Sequence, residues 1–247
     1  MSAHADIPPV GRRAEFETML SRLDAGRSAL ILVAGPPGSG RSHLAKDVGA
    51  AAERRDFRVL GCDTAIVIEE TTKLTDLRRV LASLLDVDTS DGDDGPAASG
   101  TASKAMSVVR HGLTSVIQRL NDERAVFDLI DQAAPAMIAI DGYTPGQAFG
   151  LWFTSRLVPH VKGSQRPIVL VVIDRLEPLR DLRDAADDVV ELGELARDEV
   201  RDHVAAIGAT ITPPLTSEEI EAYCDAAAHE PDMLTALERV LALLGAP

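Results

Sequence analysis

The sequence predicts an α/β fold: a parallel sheet covered by helices on both faces, followed by a small helical subdomain. Three observations carry that prediction. Uniformly apolar runs of strand length, such as Ala29–Ala34, Ala136–Ile140 and Pro167–Ile173, recur along the chain. Runs apolar at every position suit strands buried on both faces, which is the habit of parallel sheets. Segments with apolar residues at helical spacing alternate with these runs, and after Ala196 only helical signals remain.

Residues 1–9 read as a lead-in with two prolines. Phe16, Met19, Leu20 and Leu23 then recur at helical spacing, which predicts an amphipathic helix entered through Gly11 and ended by Asp24–Ser28. The first strand begins at Ala29 and runs into Gly35-Pro36-Pro37-Gly38-Ser39-Gly40-Arg41-Ser42-His43. Gly35, Gly40, Arg41 and Ser42 fit the phosphate-cradling P-loop pattern, with arginine where lysine is usual. Glycines let backbone N–H groups approach phosphate oxygens, and the next helix start adds unpaired donors and a favourable dipole. The Ser42 hydroxyl is placed to reach Mg²⁺ and the Arg41 cation to meet the β and γ phosphates. Guanidinium is planar and bulkier than ammonium, so this exchange threatens catalysis more than binding.

A helix from Ser42 to about Arg55 follows, then a short strand over Phe57–Asp63 and a helix over Lys73–Asp86 with Leu74, Leu77, Val80, Leu81, Leu84 and Leu85 on one face. Residues 87–103 lose the pattern. Their aspartates and glycines predict a mobile, solvated acidic loop, with an Asp-x-Asp metal site as the lesser reading. Two helices are expected over 104–120 and 121–134. The apolar run from Ala136 ends at Asp141, a carboxylate that would orient Mg²⁺ opposite Ser42. Gly142 follows where a second acid would serve as base, and Asp63 and Glu69 lie elsewhere in the chain. Helical residues extend over about 149–162. The strongest strand, Pro167–Ile173, ends on Asp174 and Arg175. In a parallel sheet that edge faces the ligand, so Arg175 either reaches a γ-phosphate or pairs with Asp174 or Glu177 at the surface. A fifth strand lies near Val189–Leu192, and helices are expected near 197–207, 216–228 and 232–244.

Composition sets outer bounds. The 39 acidic and 25 basic residues leave a net charge of −14, and aromatics are only 3%, so neither a phosphate-backbone footprint nor a base-stacking surface is expected. No run approaches the roughly 20 apolar residues of a membrane span, and no signal-peptide pattern opens the chain. Cys62 and Cys224 have no metal or redox spacing, and the whole points to the cytoplasm. His43, His111, His160, His203 and His229 are scattered without ligand spacing and read as structural, His43 joining the binding loop by its position alone.

Taken together, the chain resembles the nucleotide-binding module of the STAND class of AAA+ ATPases, a group that includes large LuxR-type regulators, origin-recognition-like ATPases and bacterial relatives of NLR sensors. Four features carry the resemblance: Val10-Gly11-Arg12 with Glu15, the P-loop over 35–42, Ile138–Asp141 as Walker B, and Val172–Arg175 as the sensor-1 strand. Glu194–Val200 is similar to the segment opening the helical lid, and His229-Glu230-Pro231 sits where the family has Gly-x-Pro touching nucleotide. The resemblance implies a three-layer core with a five-stranded parallel sheet over 1–195 and a lid over 196–247. It implies Gly11 and Arg12 beside the adenine, Pro231 against the nucleotide, Arg175 reading the γ-phosphate, and ATP or ADP with Mg²⁺ as ligands. An ATP/ADP switch with slow or vestigial hydrolysis is the expected function, acting through protein partners or self-assembly, with no direct nucleic-acid or membrane contact. A competent ATPase motor or loader and a nucleotide-free scaffold are the alternatives, with a small-molecule kinase more distant. Arg41 and Gly142 are the two departures from the family pattern, and both lower the expected turnover.

Overall fold

The computed structural model describes residues 12–62, 66–87, 104–173, 180–193, 197–209 and 214–227. Its centre is a parallel sheet of β1 (Ala29–Ala34), β2 (Arg58–Leu60), β3 (Ile66–Ile68), β4 (Ala136–Tyr143), β5 (Ile168–Ile173) and β6 (Asp188–Glu191). The strand order is β2-β4-β5-β1-β6, with β3 also pairing with β4. The expected five positions are therefore filled by six strands. Arg58–Leu60 pair with Ala136–Ile138 and Ile66 pairs with Ile140, so β2 and β3 share one edge of β4 in succession. Gly61 marks the break. Its φ is 87°, and a Cβ there would lie 2.0 Å from the Ala139 carbonyl oxygen, so only glycine passes that point.

Strand periodicity divides the core in two. Ile31, Val33, Met137, Ala139, Val169, Val171 and Ile173 face one side and pack with Met19, Leu23, Leu44 and Val48. These last come from α1 (Arg13–Asp24) and α2 (Arg41–Glu53). Leu30, Leu32, Ile138, Ile140, Ile168, Leu170 and Val172 face the other side. There they meet α3 (Leu74–Leu84), α4 (Lys104–Ala133), α5 (Gln147–Trp152) and α6 (Val158–Gly163). All six residues of β1 and all six of β5 are buried. Alternate side chains of one strand thus serve opposite helical layers, which is why these strands carry no polar positions. Each Leu, Ile or Val so buried contributes roughly 1.5–3 kcal/mol.

Two local readings are corrected. The expected pair of helices over 104–120 and 121–134 is one 30-residue helix, α4. Asp122, within that helix, is buried and accepts hydrogen bonds from Thr75 Oγ1 at 3.0 Å and Arg78 Nη1 at 3.2 Å. Its polar demand is met by α3, so α4 runs on without a break. The helical stretch near 149–162 is α5 and α6 joined by a π-helical turn, Phe153–Leu157. A short helix not read in the sequence, α7 (Arg180–Ala185), precedes β6. Beyond the sheet, α8 (Arg197–Gly208) packs on α9 (Ser217–Ala227), with Arg197 bonded to Glu221 at 3.4 Å and also to Asp225. Thr216 and Glu219 cap α9 reciprocally, since Thr216 N–H donates to Glu219 Oε2 at 2.8 Å and Glu219 N–H to Thr216 Oγ1 at 3.3 Å. Of the acidic loop expected over 87–103 all but Val87, and the helix expected over 232–244, lie outside the described residues.

Candidate functional site

The site is assembled at the carboxyl edge of the sheet, where β1, β4 and β6 end together. Val33 and Ala34 pair with Val190 and Glu191, and Leu192 N–H donates to the Ala34 carbonyl at 2.8 Å. The chain then turns through Gly35–Gly40, with Ser39 N–H bonded to the Pro36 carbonyl at 3.2 Å. Gly35 passes against β6, where a Cβ would sit 2.5 Å from the Leu192 carbonyl oxygen. Gly40 caps α2 in the left-handed region (φ 85°, ψ 17°), and a Cβ there would meet nothing within 4 Å. Its glycine is demanded by backbone angle and leaves open space in front of the helix start. Leu44 N–H closes the first turn on the Gly40 carbonyl at 2.9 Å. The N–H groups ahead of it keep the helix-start donors that suit an anion.

Arg41 is the first residue of α2, and exposed Ser42 and His43 follow it. Ser42 Oγ donates to Asp141 Oδ2 at 2.6 Å. Asp141 lies in β4, paired with Ile173 of β5, and is followed by Gly142 in the left-handed region at φ 82°. A hydroxyl and a carboxylate in contact below a helix start make an all-oxygen pair of donors. Mg²⁺ takes few protein ligands of that kind and completes its shell with water and phosphate oxygens. Among the described residues no cluster of three His, Cys, Asp or Glu could hold a metal by itself. The donor set fits a cation brought in with a phosphate ligand better than a resident one.

Arg12, which the resemblance put beside the adenine, is tied to the protein's own backbone. It is 7% exposed, and its Nη2 donates to the Ser39 carbonyl at 3.2 Å and also to the Gly193 carbonyl. Glu15 Oε1 lies 3.8 Å from its Nη1. One guanidinium thus ties the residue before α1 to the P-loop and to the segment leaving β6. Ser39 itself is 1% exposed. The only sequence signal for this role is an arginine before an amphipathic helix, which names no partner. Glu69, set aside in the sequence as remote, directly follows β3, whose Ile68 pairs with Tyr143 at the end of β4. Gly11, Arg175 and Pro231 lie outside the described residues, as does Asp63.

No family model matches the sequence, and no curated protein does. Solved structures do match. The ORC2 protein of Aeropyrum pernix, in ADPNP and ADP complexes, is 14% identical with a TM-score of 0.59, over 98% of this chain and 65% of that one. AMPPCP-bound DnaA from Aquifex aeolicus is 15% identical with a TM-score of 0.56, over 99% and 64%. The Holliday junction branch migration motor RuvB of Thermotoga maritima is 12% identical with a TM-score of 0.52, over 99% and 66%. The fold is that of the AAA+ P-loop ATPases. The chain spans about two thirds of the length of each of these proteins. Among the described residues no helix is long and apolar enough to cross a membrane.

Proposed function

We propose that this chain is an ATP/ADP-binding switch of the STAND/AAA+ type with slow hydrolysis, working through protein partners or self-assembly in the cytoplasm. The observation that carries the proposal is the 2.6 Å contact between Ser42 and Asp141 below the start of α2. A magnesium–nucleotide complex would replace that hydrogen bond, with Ser42 and Asp141 oriented on the metal and the Gly35–Ser42 backbone on the phosphates. Arg41 would face the β and γ phosphates, and its planar group makes it a binder before a catalyst. Arg175 is assigned to the γ-phosphate, Gly11, Arg12 and Pro231 to the nucleoside side of the site, and the segment 196–247 to a lid that shifts with nucleotide state.

Titration with ATP and ADP, with and without Mg²⁺, followed by thermal unfolding, tests the proposal. A ligand raises apparent stability by about 2.7 kcal/mol at a hundredfold excess over Kd, enough to be read clearly. A shift for ATP that grows with Mg²⁺ supports the switch. No shift at millimolar nucleotide would sink it and leave a nucleotide-free scaffold.

One observation favours a faster enzyme as the second reading. Glu69 leaves the sheet on the same edge as Asp141, one strand over. If it acts as the base that Gly142 does not provide, Glu69→Gln abolishes phosphate release while leaving ATP affinity intact.

A further inference from the structure

On the far side of the sheet from α2, a cavity of about 350 Å³ opens between the start of α3, the middle of α4 and α5. Leu74, Phe149 and Trp152 form its apolar wall. A volume of this order with mainly apolar walls is the usual form of a small-molecule site. The polar groups around it are unequally satisfied. Asp122 is 3% exposed, but Thr75 and Arg78 already answer its charge. Lys73 and Arg119 also line the cavity and are exposed, and neither is paired with an acid among the described residues. These two cations, without an acid partner among the described residues, line the same cavity as Phe149 and Trp152 on a chain whose net charge is −14. A carboxylate matches them, since guanidinium binds it through two parallel hydrogen bonds.

We propose that this cavity is a binding site for a small amphipathic carboxylate, an aromatic or branched-aliphatic acid. Its apolar body lies against Phe149 and Trp152, and its carboxylate lies between Arg119 and Lys73. The segment that joins β4 to α5 is tied to the end of β3 and the turn after it: Thr144 N–H donates to the Ile68 carbonyl at 2.7 Å, and a Cβ on Gly146 would lie 2.5 Å from the Glu70 carbonyl oxygen. The site nonetheless stands apart from the nucleotide reading, because its occupancy is measurable without nucleotide.

Trp152 is the one tryptophan of the chain, 4% exposed, with its indole N–H donating to Glu123 at 3.0 Å. Its emission is therefore a direct reporter of the cavity. The full chain, free of nucleotide, is titrated with 4-phenylbutyrate and with the neutral 4-phenylbutyramide. The proposal expects a saturable change with the acid and at least about tenfold weaker binding of the amide, one charge-assisted pair being worth that much. Arg119→Glu should weaken the acid by a similar factor, with Arg119→Gln as the milder variant if the first loses its far-UV signal. Ala148→Phe, which fills the mouth from an exposed position of α5, should remove the response. Absence of a saturable change, equal binding of acid and amide, or an unaltered response in the arginine variants would each overturn it.

Discussion

Ser42 and Asp141 stand 99 residues apart in the chain and share a hydrogen bond of 2.6 Å. The contact joins the start of α2 to β4 across the carboxyl edge of the sheet, and both residues are accessible enough for a ligand to take the hydrogen bond's place.

Because the bond is not buried, removing it should cost the free protein little, under about 1 kcal/mol. Ser42→Ala and Asp141→Asn should leave the ligand-free melting temperature nearly unchanged. Each should weaken Mg–ATP by about tenfold or more, roughly 1.4 kcal/mol, while affinity measured in EDTA changes far less. Isothermal titration with and without Mg²⁺ reads the difference. Equal weakening in EDTA would mean that neither residue serves a metal.

Arg41 offers a gain-of-function test. If the guanidinium at the start of α2 limits transfer of the γ-phosphate, Arg41→Lys should raise the rate of phosphate release several-fold. An unchanged rate would place the limit at Gly142 and the missing second acid.

Arg12 is held on two backbone carbonyls, those of Ser39 and Gly193. Arg12→Ala should leave both with less than their full complement of donors and lower stability by about 1–3 kcal/mol in urea unfolding. Arg12→Lys should recover only part of this, because an ammonium lacks the guanidinium's planar fork. A fully stable alanine variant would show that the tie is incidental.

The α9 cap predicts a response to acid. The Glu219 carboxyl is held below its ordinary value of 4.5 chiefly by the backbone N–H of Thr216, and secondarily by its hydroxyl. A carboxylate so lowered adds stability that is complete above pH 4.5 and is lost as pH falls through the lower folded-state value. The helical signal of α9, followed by amide resonances, should therefore fray below pH 4.5. Thr216→Val removes the hydroxyl's share, so Glu219 should titrate closer to its ordinary value and less stability should be lost below pH 4.5; an unchanged titration would exclude the hydroxyl as a cause.

The sequence by itself determined the elements whose cause is local. The apolar run Ala29–Ala34, the glycines that follow and the apolar face of α2 specify strand, turn and helix within two dozen residues, because each depends on backbone preference and periodicity. The same is true of β4 and β5, where burial at every position of β5 and at all of β4 but Asp141 announces a sheet covered on both faces. Only the tertiary structure decided what those elements meet. Nothing in the sequence pairs Asp122 with Thr75 and Arg78; α3 brings them to it. Gly61 interrupts the edge strand because the Ala139 carbonyl crowds it, a neighbour 78 positions away. Arg12 found the P-loop and Gly193, and Ser42 found Asp141, by the same route. Periodicity reports which face of an element is buried, whereas a hydrogen bond between distant residues depends on strand order and register, which arise when the sheet closes.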